Sequence, residues 1–194
     1  GINQAERLIR VIDLAGSKPF VRLSGHDVSQ IKRVLDAGAK GILAPMVETL
    51  HQIDIIISAC QYPRDGTRGM GLARAQGYGE NSAKNKYINE RANEIEIYVQ
   101  IESKKGLKNC KEIFSRNISG YFIGPYDLSA SLNNPGKFDT DEFYNAEKII
   151  LSAAKEEGIK CGYHLVEPDK DKINELNVKG YNMIAFSVDI RMLD

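Results

Sequence analysis

The stretch GYFIGPYDLSASL, residues 120–132, combines a buried strand with an unusual ending. Its first five residues are almost entirely apolar, which predicts a short strand covered on both faces. Gly124 and Pro125 end that strand, and Asp127 follows at once with a carboxylate. Any polar residue would serve in a surface turn, so the question is why the chain presents a carboxylate directly after this strand.

The same strand pattern recurs along the chain and alternates with helical patterns. Helical spacing of apolar residues predicts helices over 3–14, 27–38, 49–60, 83–94, 104–115, 141–157 and 167–178. Asp27 caps the second of these helices, and Pro168 lies in the first turn of the last. Short apolar runs predict strands over 20–23, 41–45, 96–102, 120–124, 160–165 and 183–188. Strands connected by helices in this way form a parallel sheet.

The order of these elements predicts an α/β fold of the (β/α)8 TIM-barrel class. An open doubly wound sheet is the alternative, but no GxGxxG follows a strand, so its nucleotide-binding version has no support. Six strands are too few for a standard barrel. The chain opens on a helix and closes on a strand with no helix after it, so we expect the first strands and the last helix of the barrel to lie outside this sequence. Residues 1–194 are interpreted as a single, partial barrel domain.

The composition excludes several partners. Lys+Arg and Asp+Glu both number 26, so there is no broad basic field for nucleic acid. The apolar stretches are far shorter than a membrane span, and the first residues lack the pattern of a signal peptide. Cys60, Cys110 and Cys161 are isolated from one another, which predicts three core cysteines in a reducing cytoplasm.

Two acids stand at the ends of neighbouring predicted strands, Glu102 as the last residue of 96–102 and Asp127 shortly after residues 120–124. In a barrel, functional groups collect at the C-terminal ends of the strands, so these carboxylates should face each other. Facing carboxylates repel unless they share a proton or a cation, and a hard divalent ion such as Mg²⁺ or Mn²⁺ satisfies both. The alternative is that residues at these positions, Ser103 and Asp127 among them, only cap the helices that follow.

Five segments together resemble the HpcH/HpaI aldolase family, the class II pyruvate aldolases of the 4-hydroxy-2-oxoheptanedioate aldolase type. They are VRLSGHD, GILAPMVET, RGMGLARAQGYG, VQIESKKGLKN and GYFIGPYDLSASL. The pair VQIE and FIGPYDLS is specific, and the similarity extends over nearly the whole chain. The resemblance implies a barrel of the phosphoenolpyruvate/pyruvate superfamily type that cleaves or forms a carbon–carbon bond through a pyruvate enolate.

The resemblance also implies roles for individual residues. Glu102 and Asp127 resemble the two metal carboxylates, and Gln100 resembles a glutamine that contacts the substrate. The backbone N–H groups of Tyr126 and Asp127 resemble those that hold the pyruvate carboxylate. Arg22 resembles the arginine that steadies the developing oxyanion, a task that suits an always-charged guanidinium.

Asp36 resembles the acid that raises the basicity of a catalytic histidine, whereas its spacing alone favours a solvated residue at a helix end. Arg68 and Arg74 lie in a segment that resembles a loop at the entrance of the family's active site. We rank them below the other candidate site residues.

The general base of the family is a histidine that would fall immediately before Gly1. Of the three histidines present, His26 does not match the motif, His51 lies on a predicted helix surface, and His164 ends a strand. None of them replaces the base convincingly. We expect residues ahead of Gly1 in the gene product, because a barrel without two strands would expose sheet edges.

The resemblance therefore predicts a metal-dependent aldehyde-lyase that releases pyruvate and an aldehyde from a 4-hydroxy-2-oxo acid. The expected cofactor is Mg²⁺ or Mn²⁺, with Co²⁺ or Zn²⁺ as alternatives, and the expected assembly is a homo-oligomer, a hexamer by family resemblance. Two alternatives stay open: an enzyme of the citrate lyase β or malyl-CoA lyase type, and a non-catalytic relative that binds 2-oxo acids without the base.

Overall fold

The computed structural model describes residues 1–90 and 94–193. Its six strands are β1 (Phe20–Arg22), β2 (Gly41–Ala44), β3 (Glu96–Ile101), β4 (Gly120–Ile123), β5 (Lys160–Leu165) and β6 (Met183–Phe186). The helices are α1 (Ile2–Leu14), α2 (Val28–Asp36), α3 (Leu50–Cys60), α4 (Asn81–Asn89), α5 (Lys104–Phe114), α6 (Pro125–Ser131), α7 (Asp141–Glu157), α8 (Lys170–Lys179) and α9 (Asp189–Met192), with a 3₁₀ helix at Arg74–Gly79. The predicted alternation of strands and helices is confirmed.

Three details of the predicted elements differ from the structure. The helix predicted over 83–94 is α4, which ends at Asn89, and residues 91–93 of that prediction lie outside the described part. Pro168 is not in the first turn of α8, because Asp169 is the cap and its side chain accepts hydrogen bonds from the N–H groups of Asp171 and Lys172. The expectation that no helix follows the last strand is wrong, since the short helix α9 begins at Asp189.

The strands form one sheet in the order β1-β2-β3-β4-β5-β6, so each strand neighbours the next in sequence. The pairs β1–β2, β4–β5 and β5–β6 are parallel, as predicted. In the β4–β5 register, Ile123 lies opposite Tyr163. Six strands are present within the described residues, and an eight-stranded barrel is not shown.

The chain divides into two compact units. The first unit comprises Gly1–Pro45 and His51–Tyr98, and the second comprises Met46–Leu50 together with the chain from Val99 onward. The short segment Met46–Leu50 therefore contributes to the second unit although the residues on either side of it belong to the first. This detour matters for the site described below.

Each unit has a core of its own. In the first unit, the apolar residues of β2 and the inner faces of α2 and α3 are buried, among them Leu35, Ile42 and Ile53. In the second unit, Phe114 of α5 stacks on Tyr121 of β4, with ring centroids 5.0 Å apart. The three cysteines are free and buried, as predicted, and burial raises the pKa of the Cys60 thiol to about 12. No helix in the described ranges has the length and apolar character that a membrane crossing requires.

Helix ends follow from local sequence. The Asp27 carboxylate accepts a hydrogen bond from the N–H of Gln30 at 2.6 Å, which satisfies one of the donors that every helix start leaves unpaired. At the other end of the longest helix, Gly158 adopts φ +67°, a left-handed conformation that ends α7 without the strain a side chain would cause.

The cap at Asp27 provides a test of the fold. Asp27→Ala removes the acceptor for Gln30 N–H and should lower the free energy of unfolding by about 1 kcal/mol. Asp27→Asn keeps an acceptor oxygen at the same place and should stay within about 0.5 kcal/mol of the wild type. Urea unfolding followed by circular dichroism measures both values. Equal losses in the two variants would contradict the capping role.

Candidate metal centre

The buried carboxylate of Glu102 is the centre of the candidate site in the second unit. Glu102 follows β3 directly, and Gln100 stands two residues earlier on the same face of the strand. Both residues are buried, with exposed fractions of 2% and 5%. The Gln100 side-chain amide donates a hydrogen bond to Glu102 Oε2 at 3.0 Å. A buried carboxylate needs such donors, because burial removes its water.

The segment Met46–Leu50 supplies a second donor to this carboxylate. The backbone N–H of Met46 donates to Glu102 Oε1 at 2.8 Å across 56 residues of sequence, and the N–H of Val47 donates to the Gln100 carbonyl at 3.2 Å. Sequence reasoning did not select Met46 as a site residue. Its signal was its position directly after a predicted strand, since a backbone donor leaves no trace in residue type.

Gly124 explains why the opening stretch has no side chain at the strand end. A Cβ at this position would lie 2.4 Å from Glu102 Oε2 and 3.4 Å from the Gln100 amide nitrogen. Any other residue would therefore collide with the carboxylate. The glycine thus leaves room for Oε2 on the side of β4.

Asp127 lies in the first turn of α6, just beyond Gly124 and Pro125. Its side chain is exposed. Pro125 occupies the first helical position, and the N–H groups of Tyr126 and Asp127 belong to the helix start, where no carbonyl within the helix accepts from them. This end of α6 thus combines a carboxylate with outward-facing backbone donors.

The alternative prediction is that Ser103 and Asp127 cap the helices that follow them. It is right for Ser103 and α5 but not for Asp127 and α6. Ser103 caps α5, and its hydroxyl oxygen accepts from the N–H of Gly106 at 3.0 Å. The cap position of α6 is Gly124, which has no side chain to offer. Neither Glu102 nor Asp127 occupies a cap position.

A third acid beyond a strand end, Glu48, makes structural contacts with α5 and its cap. Its carboxylate accepts from the Ser103 hydroxyl at 2.6 Å and lies 3.5 Å from the ammonium of Lys105. Its backbone carbonyl accepts from the side chain of Asn109 at 2.7 Å. Glu48 therefore fastens the segment Met46–Leu50 to the start of α5.

The donor chemistry of Glu102 and Asp127 is of the kind that a hard divalent cation prefers. Gly124 leaves room beside Glu102 Oε2, and Asp127 follows Gly124 by three residues with an exposed carboxylate. Mg²⁺ and Mn²⁺ prefer oxygen ligands and often use one or two carboxylates, with water or substrate in the other positions. The described ranges hold no cluster of three or more His, Cys, Asp or Glu side chains suited to a metal ion. A cation held by these two carboxylates would need further oxygen ligands, such as water or substrate.

The other two predicted catalytic residues belong to the first unit. Arg22 ends β1 and is exposed. Asp36 ends α2 and is 7% exposed, so its interpretation as a solvated residue is wrong. Its Oδ1 accepts from Arg68 Nη2 at 2.8 Å and from the Gln76 side chain at 3.0 Å, and its Oδ2 accepts from the Lys32 ammonium.

Arg68 is fully buried between two aromatic rings of the first unit. Its guanidinium carbon lies 4.9 Å from the ring centre of Tyr62 and 5.4 Å from that of Tyr87, and Nη1 donates to the Tyr87 hydroxyl at 3.0 Å. Burial alone would raise the pKa of Asp36, but the hydrogen bonds from Lys32, Arg68 and Gln76, with the charge of Arg68, lower that pKa below its ordinary value. Asp36 is therefore a charged, fixed carboxylate.

The histidines occupy three different settings. His26 Nε2 lies 2.6 Å from the carbonyl oxygen of Pro45 within the first unit. His51 is exposed on α3, as predicted. His164 is half-buried near the end of β5 and borders a cavity of about 470 Å³ that also contacts Pro125 and Tyr126.

The chain has an α/β fold in which helices connect parallel strands and acids lie just beyond the strand ends. Comparison with known proteins gives the family. The family model described as HpcH/HpaI aldolase/citrate lyase matches residues 1–193. The chain belongs to this family.

Individual relatives agree with this assignment. The chain is 36% identical over 178 residues to a 2-keto-3-deoxy-L-rhamnonate aldolase of Escherichia coli (strain K12), an alignment covering 89% of this chain. It spans 64% of the length of that relative. It is also similar to the crystal structures of an HpcH/HpaI aldolase/citrate lyase family protein from Burkholderia cenocepacia J2315 (TM-score 0.92, 27% identity, 100% of this chain and 76% of that chain) and an HpcH/HpaI aldolase from Desulfitobacterium hafniense DCB-2 (TM-score 0.91, 27% identity, 100% and 74%).

The close approach at Gly124 predicts the effect of a single methyl group. Gly124→Ala would place its Cβ against the Glu102 carboxylate, which Met46 and Gln100 hold in place. The free energy of unfolding should fall by about 1–3 kcal/mol. Gly25→Ala is the control, because a Cβ there meets open space, and its change should stay within about 0.5 kcal/mol. Urea unfolding of both variants decides, and equal stabilities of the two would refute the contact.

The buried pair of Asp36 and Arg68 predicts a pH dependence of stability. Because its pKa is lowered in the folded state, Asp36 stabilises the fold above the pKa of the unfolded chain, and this contribution is lost as the pH falls through the folded pKa. Asp36→Asn should lower the free energy of unfolding by about 3 kcal/mol at pH 7, with a smaller loss at pH 3. The exposed Asp65→Asn is the control. A loss for Asp36→Asn that is equal at both pH values would contradict this assignment.

Proposed function

We propose that this protein is a divalent-metal-dependent aldolase that cleaves a 4-hydroxy-2-oxo acid to pyruvate and an aldehyde. The observation that carries the proposal is the Glu102 carboxylate. It is buried and held at both oxygens by the N–H of Met46 and the amide of Gln100, and the bare backbone at Gly124 leaves room beside it. Membership of the HpcH/HpaI aldolase/citrate lyase family supports the same reaction class.

Glu102 and Asp127 would hold the cation, for which Mg²⁺ or Mn²⁺ best suits the oxygen donors. A bound divalent ion supplies Lewis acidity, which draws electron density from the ketone oxygen of a 2-oxo acid. The contribution of the chain is to position the two carboxylates. Glu102 is held by its two donors, and Asp127 is carried by the first turn of α6.

Gln100 and the start of α6 would bind the substrate. The N–H groups of Tyr126 and Asp127 lie at the positive end of the helix, where a carboxylate is favoured. Gln100, on the same strand face as Glu102, would contact the 2-oxo acid beside the metal. These contacts would orient the acid so that its C3–C4 bond can break. The proton of the C4 hydroxyl would pass to a general base, the electron pair would remain on the pyruvate fragment as its enolate, and the protonated base would return a proton to C3.

The roles of Arg22 and Asp36 rest on the family resemblance alone. Arg22 would share the negative charge that develops on the substrate oxygen. Asp36 would raise the basicity of the histidine that serves as general base in the family. Both assignments stay predictions, as do an eight-stranded barrel for the whole protein and its assembly as a homo-oligomer.

The relatives favour a sugar-acid substrate within the proposed class. A 2-keto-3-deoxy sugar acid, the kind of compound named for the Escherichia coli aldolase, is a 2-oxo acid with a hydroxyl at C4. We therefore propose 2-keto-3-deoxy aldonates as the first compounds to test, with 4-hydroxy-2-oxo dicarboxylic acids as the second group.

The proposal predicts pyruvate release that depends on a metal and on Glu102. A lactate dehydrogenase assay should detect pyruvate from these acids when Mg²⁺ or Mn²⁺ is present, and EDTA should abolish the signal. Glu102→Gln should reduce kcat/KM at least about 100-fold, because losing a metal ligand removes several kcal/mol of charge stabilisation. Glu112→Gln, an exposed glutamate on α5, is the matched control and should retain full activity.

Other outcomes of the same assay have distinct meanings. Activity that persists after complete metal removal would overturn the metal-dependent mechanism. Binding of pyruvate or oxalate without turnover of any acid would identify a non-catalytic relative. Cleavage of an acyl-CoA thioester substrate in place of the free acids would move the protein to the citrate lyase branch.

A further inference from the structure

Met46 has a backbone conformation that its residue type disfavours. Its φ is +48°, in the left-handed region where a side chain crowds the backbone. Glycine or asparagine normally occupies such positions, yet a long unbranched side chain stands here. A strained backbone persists only where surrounding contacts determine it, and such residues cluster at functional sites.

The contacts that hold this conformation are backbone contacts. The N–H of Met46 donates to Glu102 Oε1 at 2.8 Å, and the next N–H, of Val47, donates to the carbonyl of Gln100 at 3.2 Å. Glu48 then fastens the segment to Ser103 and Asn109. Two consecutive N–H groups thus donate to the Glu102 carboxylate, directly after β3, and to the backbone carbonyl of Gln100 within β3.

Side-chain packing does not explain the conformation. The Met46 residue is 45% exposed, although Val47 beside it is completely buried. Val47 anchors the segment, and Met46 contributes its N–H to the carboxylate. The strained φ at Met46 is therefore tied to the hydrogen bond that this residue makes with Glu102.

The two oxygens of Glu102 have different surroundings. Oε1 accepts the N–H of Met46, whereas Oε2 lies beside the bare Gly124 and accepts from Gln100. A carboxylate oxygen can accept a hydrogen bond and also bind a metal ion, so a hydrogen bond to either oxygen sets the orientation in which the group meets a ligand. The side of Oε1 is occupied by the protein backbone.

We infer that Met46 is a positioning residue, whose N–H in the left-handed conformation fixes Glu102 Oε1 and thereby sets the orientation in which the carboxylate meets a cation. The part of this inference that concerns the cation rests on the proposed function. The part that concerns the hydrogen bond stands on the geometry of the second unit alone. Each part has its own measurement.

The first measurement is the affinity for Mn²⁺, determined by electron paramagnetic resonance titration of the purified protein. Met46→Val places a β-branched side chain where φ is positive, which moves the backbone and withdraws the N–H. The dissociation constant should rise roughly 10- to 100-fold, the value of a hydrogen bond to a charged group. Met46→Gly keeps the N–H and relieves the crowding, so its dissociation constant should stay within about twofold of the wild type.

Asn133→Val is the matched control for strain. Asn133 has φ +67° in the second unit, beyond the end of α6, and its N–H donates to the carbonyl of Ala130. This variant should lose stability for the same steric reason as Met46→Val but keep its affinity for Mn²⁺. A weakened affinity in Asn133→Val equal to that in Met46→Val would overturn the inference, because general destabilisation would then explain both.

The second measurement needs no metal. Amide hydrogen exchange, followed by nuclear magnetic resonance, should show protection of the Met46 N–H in the wild type. Glu102→Ala should accelerate its exchange at least about tenfold while the Val47 N–H, which donates to a backbone carbonyl, stays protected.

The outcomes separate the inference from the proposed function. Unchanged Mn²⁺ affinity in Met46→Val, or an equal loss in Met46→Gly, overturns the positioning role while the metal site stands. Absence of Mn²⁺ binding by the wild type overturns the proposed function and the cation part of the inference. In that case a protected Met46 N–H supports the hydrogen-bond part, and an unprotected one overturns it.

Discussion

The site depends on one constraint, the burial of the Glu102 carboxylate. A charged group removed from water must find donors inside the protein, and Glu102 finds them in the backbone N–H of Met46 and the amide of Gln100. The first donor requires a detour of the chain into the second unit, and the second requires a polar residue inside a buried strand. The glycine at the end of β4 belongs to the same arrangement, because a side chain there would displace the carboxylate.

The carboxylates beyond the strand ends differ in their contacts, and these contacts decide which of them can bind a ligand. The Glu48 carboxylate binds Ser103 and Lys105 and thereby attaches the segment Met46–Leu50 to the start of α5. Glu102 is held at both oxygens by Met46 and Gln100, and Asp127 is exposed on the first turn of a helix. Glu102 and Asp127 are therefore the two acids that we propose for the cation. Residue type alone could not have separated them from Glu48.

Much of the fold could be predicted from the sequence because its signals are local. Apolar runs, helical spacing and caps such as Asp27 depend on residues within a few positions of each other, and the predicted elements agree with the structure apart from the bounds of α4, the short helix α6, which has no counterpart among the predicted helices, and details at the last two helices. The candidate site residues Glu102, Asp127 and Gln100 could be proposed because strand ends converge in parallel sheets. The environment of Asp36 could not be predicted, since its partners Arg68 and Gln76 come from a loop 32 and 40 residues away. Met46 could not be selected either, because its contribution is a backbone N–H that nearly every residue possesses.

The most direct test of the account is the location of the cation. A crystal of the protein grown with Mn²⁺, measured at the manganese absorption edge, should give one anomalous peak in the second unit. We expect that peak roughly 2.0–2.2 Å from one carboxylate oxygen of Glu102 and one of Asp127. A peak elsewhere, or density in which the two side chains point away from each other, would contradict the central claim.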